Sequence, residues 1–249
     1  MNKNQFPDNM NLDKNQGHYQ LPDNMNPTGF GSGTAIGTLM GKTYALLAAT
    51  LVVSTIASIY GMYSPFVYQH SFILTIGSIA LMIGSYDLLC KEQYAGAHRS
   101  PFAVPLVFLF AGSMGMMMGL SIETYLRMPG GASIIAEALG TTAAMFVGLS
   151  AYALTTRRDF SSISIGDFLI TGLVLAIVVS LLNIFLLHIP ALQLAIAGVL
   201  VLVFSGLILF DTQRMVRGGI QEPVMLVVDL YLDIINLFMA LIEIFGNKS

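Results

Sequence analysis

Seven long apolar segments, separated by short polar stretches, dominate this chain after residue 35. They cover roughly residues 43–63, 70–90, 101–122, 132–154, 165–187, 189–210 and 223–245. Each has the ~20 residues that a helix needs to cross the hydrocarbon core of a bilayer. The pattern therefore predicts an all-α membrane protein with seven transmembrane helices in residues 35–249.

The last apolar segment carries acidic and amide side chains at helical spacing. Asp229, Asp233, Asn236, Ala240 and Glu243 are separated by four, three, four and three residues, so they share one face of a helix. An acid near the bilayer centre costs roughly 2.5–3.5 kcal/mol on insertion scales, so these groups need protein around them. We predict that the final helix lies at the centre of the bundle, with this polar stripe facing other helices.

Residues 1–34 form a different kind of segment, which is polar and rich in Asn, Asp, Gln and Pro. The sequence Pro-Asp-Asn-Met-Asn occurs there twice, at residues 7–11 and 22–26. Such a composition buries too little apolar surface to order itself. We predict a disordered cytosolic tail. The repeat leaves open a binding tail as the alternative.

Charge sets the predicted orientation. Charged residues make up 10% of the chain, against about 25% in soluble domains, and there is no basic cluster to bind nucleic acid. If the amino terminus is cytosolic, nine of the eleven Lys and Arg residues lie on the cytosolic side, and only Arg127 and Lys248 do not. This positive-inside bias predicts a cytosolic amino terminus. The side of the carboxy terminus stays open.

Sequence motifs that would indicate a cofactor are missing. The four histidines are scattered over the tail and loops, and no two of them have the spacing of a zinc site. No nucleophile elbow and no dinucleotide fingerprint occurs. We expect no cofactor, no tightly bound metal and no catalytic residue.

An acid at the end of the sixth segment extends the candidate site. Asp211 closes that segment, and a short loop makes the sixth and seventh helices antiparallel neighbours, so Asp211 is expected near Asp229 and Asp233. Two adjacent carboxylates in a low dielectric cannot both ionise at low cost, so they share a proton and titrate as one unit. A pH-sensitive latch is one interpretation. A purely structural hydrogen-bonded pair is the other.

These residues also carry a resemblance. Residues 204–214 (FSGLILFDTQR) and 230–238 (LYLDIINLF) resemble the two signature stretches of the Bax inhibitor-1 family, and residues 148–160 (GLSAYALTTRRDF) and 189–192 (IPAL) resemble its bacterial inner-membrane branch. The resemblance implies six helices around a central seventh. It also implies that Asp211 and Asp233 are the family's proton-responsive pair, which is linked to calcium leak. The bacterial branch includes a modulator of the membrane-anchored AAA protease.

The chain departs from the family pattern at two acids. Asp229 stands where many relatives have a small or weakly polar residue, so three aspartates take the place of two. Glu243 stands where the family commonly has arginine.

Three functions are compatible with these features. The first is a non-enzymatic regulator in the bacterial inner membrane, with membrane lipids and an AAA protease as partners. The second is a pH-sensitive calcium leak. Calcium prefers 6–8 oxygen ligands, so Asp211, Asp229, Asp233 and Asn236 would suit transient passage better than tight binding. The third is an intramembrane hydrolase that uses the aspartates as acid and base.

Overall fold

The computed structural model describes residues 33–95, 102–217 and 223–247, and every long element in these ranges is helical. The predicted tail, apart from its last two residues, lies outside the described residues. The elements are α1 (Gly33–Tyr63), α2 (Pro65–Gln69), α3 (Ser71–Ala95), α4 (Ala103–Leu126), α5 (Gly131–Thr155), α6 (Ile163–Leu182) with a π-helical turn (Asn183–Leu187), α7 (Pro190–Val216) and α8 (Pro223–Gly246).

Among the described residues, six stretches are long and apolar enough to cross a membrane. They are Gly37–Tyr63, Ala103–Leu126, Gly131–Thr155, Ile163–Leu187, Pro190–Val216 and Pro223–Gly246. In α3 the apolar stretch found among the described residues, Ser71–Asp87, is shorter. The chain is therefore a multi-pass helical membrane protein, and a seventh transmembrane helix stays a prediction. The helix α1 begins well before the predicted start near residue 43, because the weakly apolar residues before it are still compatible with a helix.

The final helix α8 is the most buried of these spans. Of its most apolar stretch, 78% is buried inside the protein, compared with 17–33% for the other five. It packs against α1, α3, α4, α5 and α7, while α6 packs chiefly on α7. The helix with the polar stripe is thus enclosed by protein. Its acids are therefore shielded from the lipid that the apolar surfaces of the other spans would contact.

Glycines bring α1 and α4 into close backbone contact. A side chain at Gly115 would collide with the backbone of Ser54, and one at Gly119 would collide with the backbone of Ser58. Small residues four apart allow this approach in membranes, where dispersion contacts drive helix association. The pair α1–α4 therefore forms one rigid wall beside α8.

A buried asparagine closes the turn between α6 and α7. The Asn183 Oδ1 atom accepts a hydrogen bond from the Ile189 N–H at 2.9 Å, and its Nδ2 donates to the Ile189 carbonyl at 3.1 Å. His188 in this turn has a left-handed φ of 52°, and Pro190 starts α7. We call this end of the bundle the hairpin end. The end at which α7 finishes and α8 begins is called the acidic end.

Candidate functional site

Three aspartates lie together at the acidic end. Asp211 comes from the last turns of α7, and Asp229 and Asp233 from the first half of α8. The carboxyl groups of Asp211 and Asp233 are in side-chain hydrogen-bonding contact, and each interacts electrostatically with Asp229. Asp211 and Asp233 are only 6% and 5% exposed. The packing of α7 on α8 thus brings three acids from two consecutive helices into one cluster.

An arginine of α7 faces this cluster. The Arg214 Nη1 atom lies 3.5 Å from Asp211 Oδ1, one helical turn away on α7, and the guanidinium also lies 5.2 Å from the centre of the Phe210 ring. Sequence reasoning used Arg214 only to orient the chain. Its i, i+3 spacing from Asp211 was the signal that could have identified it as an ion-pair partner.

Several buried oxygen atoms around the acids have no hydrogen-bond donor. Within the described ranges, no hydroxyl, amide or guanidinium group donates to Asp229 Oδ2 or Asp233 Oδ2. The hydroxyls of Thr212 on α7 and Ser150 on α5 are buried near the same end of their helices and are also unpaired. Buried polar atoms are normally satisfied, so these oxygen atoms can still accept hydrogen bonds.

The described residues contain no group of three or more His, Cys, Asp or Glu side chains arranged to hold a metal ion. The aspartate cluster can therefore offer oxygen atoms to a passing ion only together with water or backbone carbonyls.

The other two polar residues of the stripe do not join the aspartates. Asn236 donates a hydrogen bond to the Leu232 carbonyl of its own helix at 2.7 Å. Glu243 lies at the hairpin end, where its carboxyl is hydrogen-bonded to Gln193 and interacts with Tyr125. Both ends of the stripe thus face α7, but they form two separate sites about 15 Å apart along α8.

A buried tyrosine anchors the opposite face of α8. The Tyr231 hydroxyl makes a 2.9 Å hydrogen bond with Ser54 on α1 and donates to the Ala111 carbonyl on α4 at 3.3 Å. Its ring packs edge-on against Phe110. Tyr231 was not among the residues predicted for the site. A tyrosine between two predicted buried acids was the available signal, because buried hydroxyls need partners.

The side chain of Gln213, which was also not predicted for the site, connects the loop between α5 and α6 to the acidic end. The Gln213 side chain is fully buried, accepts a hydrogen bond from the Phe160 N–H at 2.6 Å and donates to the Arg158 carbonyl at 3.0 Å. Arg217 reaches the same loop through Asp159, with 3.3 Å between Nη1 and Oδ2. The end of α7 is therefore fixed to this loop beside the aspartate cluster.

Asp159 in this loop has a defined electrostatic setting. The hydroxyl and the backbone N–H of Ser161 donate to Asp159 Oδ1 at 2.7 and 2.9 Å. These hydrogen bonds, together with the nearby Arg217, hold the pKa of the Asp159 carboxyl below its usual value. The folded loop therefore stabilises the ionised carboxylate form of Asp159.

The fold and this site define a multi-pass helical membrane protein whose most buried span carries clustered acids. The family model described as "Inhibitor of apoptosis-promoting Bax1" matches residues 37–249. The chain belongs to this Bax1-I family.

Individual relatives agree with that assignment. A membrane protein of Vibrio cholerae is 39% identical over 211 residues, which cover 84% of this chain and 88% of the relative. The Escherichia coli protein named "Modulator of FtsH protease YccA" is 35% identical over 215 residues, covering 85% of this chain and 90% of the relative. The Schizosaccharomyces pombe protein "Bax inhibitor 1" is 31% identical over 214 residues, covering 82% and 74%. The chain is thus similar to bacterial and eukaryotic members, including one named as an inner membrane protein.

Proposed function

We propose that this chain is a non-enzymatic regulator in the bacterial inner membrane that modulates a membrane-anchored AAA protease and thereby the quality control of membrane proteins. The observation that carries the proposal is the 35% identity, over 85% of this chain, with the relative named as a modulator of FtsH protease. A regulator of this kind needs a stable membrane scaffold with a surface for its partner, and the many exposed apolar side chains of α6 and α3 are compatible with that role.

The proposal includes a topology. In it, α3 is the seventh transmembrane helix, six helices surround α8, and the amino terminus is cytosolic. Four arginines near the acidic end support this orientation, because basic residues favour the cytosolic side. They are Arg157, Arg158, Arg214 and Arg217. The acidic end and the predicted tail would then face the protease domain in the cytosol.

The test uses the full-length chain in membranes that contain the protease and an unassembled membrane protein as its substrate. We expect the chain to co-purify with the protease and to change the half-life of the substrate. Deleting residues 2–30 should weaken both effects, while a tail of the same composition in scrambled order separates the repeat from mere length and polarity. If the full chain neither co-purifies nor alters substrate turnover, the proposal fails. If only the deletion is without effect, the tail is removed from the proposal.

A pH-sensitive calcium leak is the second candidate function, and the cluster of Asp211, Asp229 and Asp233 favours it. Among the residues that the structure describes, these three acids meet Arg214 as their basic neighbour, so the cluster would carry excess negative charge if all three were ionised and would respond to both protons and cations. In this candidate the cluster shares protons as one unit and passes calcium only transiently.

Calcium flux into proteoliposomes tests this candidate. Asp233→Asn keeps the size of the side chain and removes one charge, so it should change the pH dependence of the flux. The matched control is Glu243→Gln, which makes the same type of change at the hairpin end and should leave the pH dependence unaltered. Absence of any calcium flux from mildly acidic to mildly alkaline pH would eliminate the leak.

A further inference from the structure

A cavity of about 370 Å³ lies beside α8, on the side of Asp233 that faces the hairpin end. Its floor is formed by Ile234, Ile235 and Phe238, directly after Asp233 in the chain. Its walls come from α1, α4 and α5. Ligand pockets typically measure about 300–1,000 Å³, and an apolar cavity of ~150 Å³ already takes up benzene. The cavity is thus large enough for an extended apolar group.

The cavity opens sideways through the bundle. The helices α1 and α5 each pack on both α4 and α8, and both contribute residues to the cavity wall. The rim residues Thr55 on α1, and Leu139 and Ala143 on α5, are exposed, and Leu139 is 60% exposed. All four helices around the cavity are candidate membrane spans. The opening between α1 and α5 therefore faces the hydrocarbon of the bilayer, and we call the cavity with this opening the lateral groove.

The polar atoms of the lateral groove are already occupied. Thr55 donates to the Leu51 carbonyl, Ser58 to the Thr55 carbonyl and Thr142 to the Ala138 carbonyl, all at 2.7–2.8 Å. The remaining hydroxyl, that of Ser54, is bonded to Tyr231. A buried water needs two to four polar partners, and a polar ligand needs free donors or acceptors. The lining offers few of these, so the groove suits a group without hydrogen-bonding atoms.

The length of the groove matches one leaflet. Its wall on α5 runs from residue 135 to residue 146, or about 16 Å along the helix axis. Half of the ~30 Å hydrocarbon core is about 15 Å. A groove left unfilled would forfeit the dispersion contacts of its lining, and the molecules beside its opening are lipids.

We propose that the lateral groove binds one acyl chain of a membrane lipid, inserted between α1 and α5 from the leaflet at the hairpin end. The acyl chain would pack on Phe238 and on Ile234 and Ile235, the two isoleucines that follow Asp233. The site is independent of the regulatory function proposed above, and it makes a lipid a specific ligand of the central helix.

The absence of tryptophan from this chain provides a clean test. Phe238→Trp places a single indole on the floor of the groove. Phe204→Trp is the matched control, because Phe204 is equally well buried, at 5% against 6% exposure, but lies on α7 outside the groove. Each full-length variant is reconstituted into phosphatidylcholine vesicles with brominated or unbrominated acyl chains, and quenching of the indole fluorescence by bromine is measured.

Bromine quenches fluorescence by contact, so F238W should be quenched at least about twofold more strongly than F204W, although both indoles are buried. Adding Ala143→Phe at the rim should reduce the quenching of F238W, because the new ring fills the opening. Adding Ala144→Phe, at an exposed position that does not line the groove, should not. Equal quenching of F238W and F204W would overturn the proposal, since the groove would then be empty or filled by protein.

A second measurement does not depend on the tryptophan variants. Native mass spectrometry of the otherwise unchanged chain, released from vesicles, should show one retained phospholipid. The A143F variant should lose it and the A144F variant should keep it. Equal retention by both variants, or no retention by the unchanged chain, would contradict an acyl chain held in this groove.

Discussion

Asp233 and Glu243 lie on the same face of α8, yet their surroundings differ. Asp233 is buried and meets two other acids and, through Asp211, an arginine. Glu243 is half-buried and meets the neutral Gln193. Asp211, Arg214 and Gln193 all belong to α7, which runs alongside α8 from the acidic end to the hairpin end. Spacing within a helix thus determines which face a residue occupies, whereas the neighbouring helix determines what chemistry that residue can take part in.

The two glutamines of α7 provide the largest expected difference between the ends. Gln213→Leu removes a fully buried amide and leaves the Phe160 N–H and the Arg158 carbonyl without their partner, so it should lower the free energy of unfolding by about 2–3 kcal/mol. Gln193→Leu removes the 3.3 Å hydrogen bond that Asn183 Nδ2 donates to Gln193 Oε1 and the bond to Glu243. It should cost less than about 1 kcal/mol, because Asn183 keeps its bonds to Ile189 and Glu243 is only half-buried. Unfolding in mixed micelles measures both. If both variants lowered the free energy of unfolding by the same amount, the expected difference between the two ends of α7 would be contradicted.

Between the two ends, Tyr231 tests how firmly the opposite face of α8 is attached. Tyr231→Phe loses the hydrogen bonds to Ser54 and Ala111 but keeps the ring, so the free energy of unfolding should fall by about 1 kcal/mol. Tyr44→Phe is the control, because the buried hydroxyl of Tyr44 has no hydrogen-bond partner in the part of the chain that the structure describes, and its removal should be neutral or stabilising. Thermal unfolding in detergent distinguishes them. A greater loss for Tyr44→Phe would contradict these assignments.

The smallest expected effect belongs to the exposed edge of the acidic end. The pKa of Asp159 is lower in the folded protein than its usual value of 3.8, so its carboxylate stabilises the fold above that value and the contribution disappears as pH falls through the folded pKa. Asp159→Asn should therefore lower the thermal midpoint slightly at neutral pH and have no effect in strong acid. A difference between wild type and variant that persists in strong acid would show that Asp159 acts by another route.

Much of the architecture could be predicted from the pattern of apolar residues. The long spans, the turn before Pro190 and the enclosure of the final helix all follow from hydropathy and from the stripe that includes Asp229 and Asp233. These features depend on local sequence and on the cost of exposing acids to lipid. They therefore require no knowledge of which helices touch.

The remaining features depend on contacts between distant segments. Nothing local indicates that Gln213 binds a loop more than fifty residues away, or that Ser54 meets Tyr231. The partners of Glu243 could not be predicted either, because a shared helical face does not show which side chains the neighbouring helix places beside each residue. The lateral groove could not be predicted from the sequence either, because it is formed only when α1, α4, α5 and α8 pack together.

A double-mutant cycle between Asp211 and Asp233 tests the central claim most directly, namely that acids from two helices act as one proton-linked unit. Asp211→Asn, Asp233→Asn and the double variant are unfolded in mixed micelles over a range of pH, with Asp211→Asn plus Glu243→Gln as the distant control. The account predicts a coupling energy of about 1–3 kcal/mol for the aspartate pair that changes with pH, and about 0.5 kcal/mol or less for the control. Additive effects for the pair, or a coupling that does not vary with pH, would contradict it.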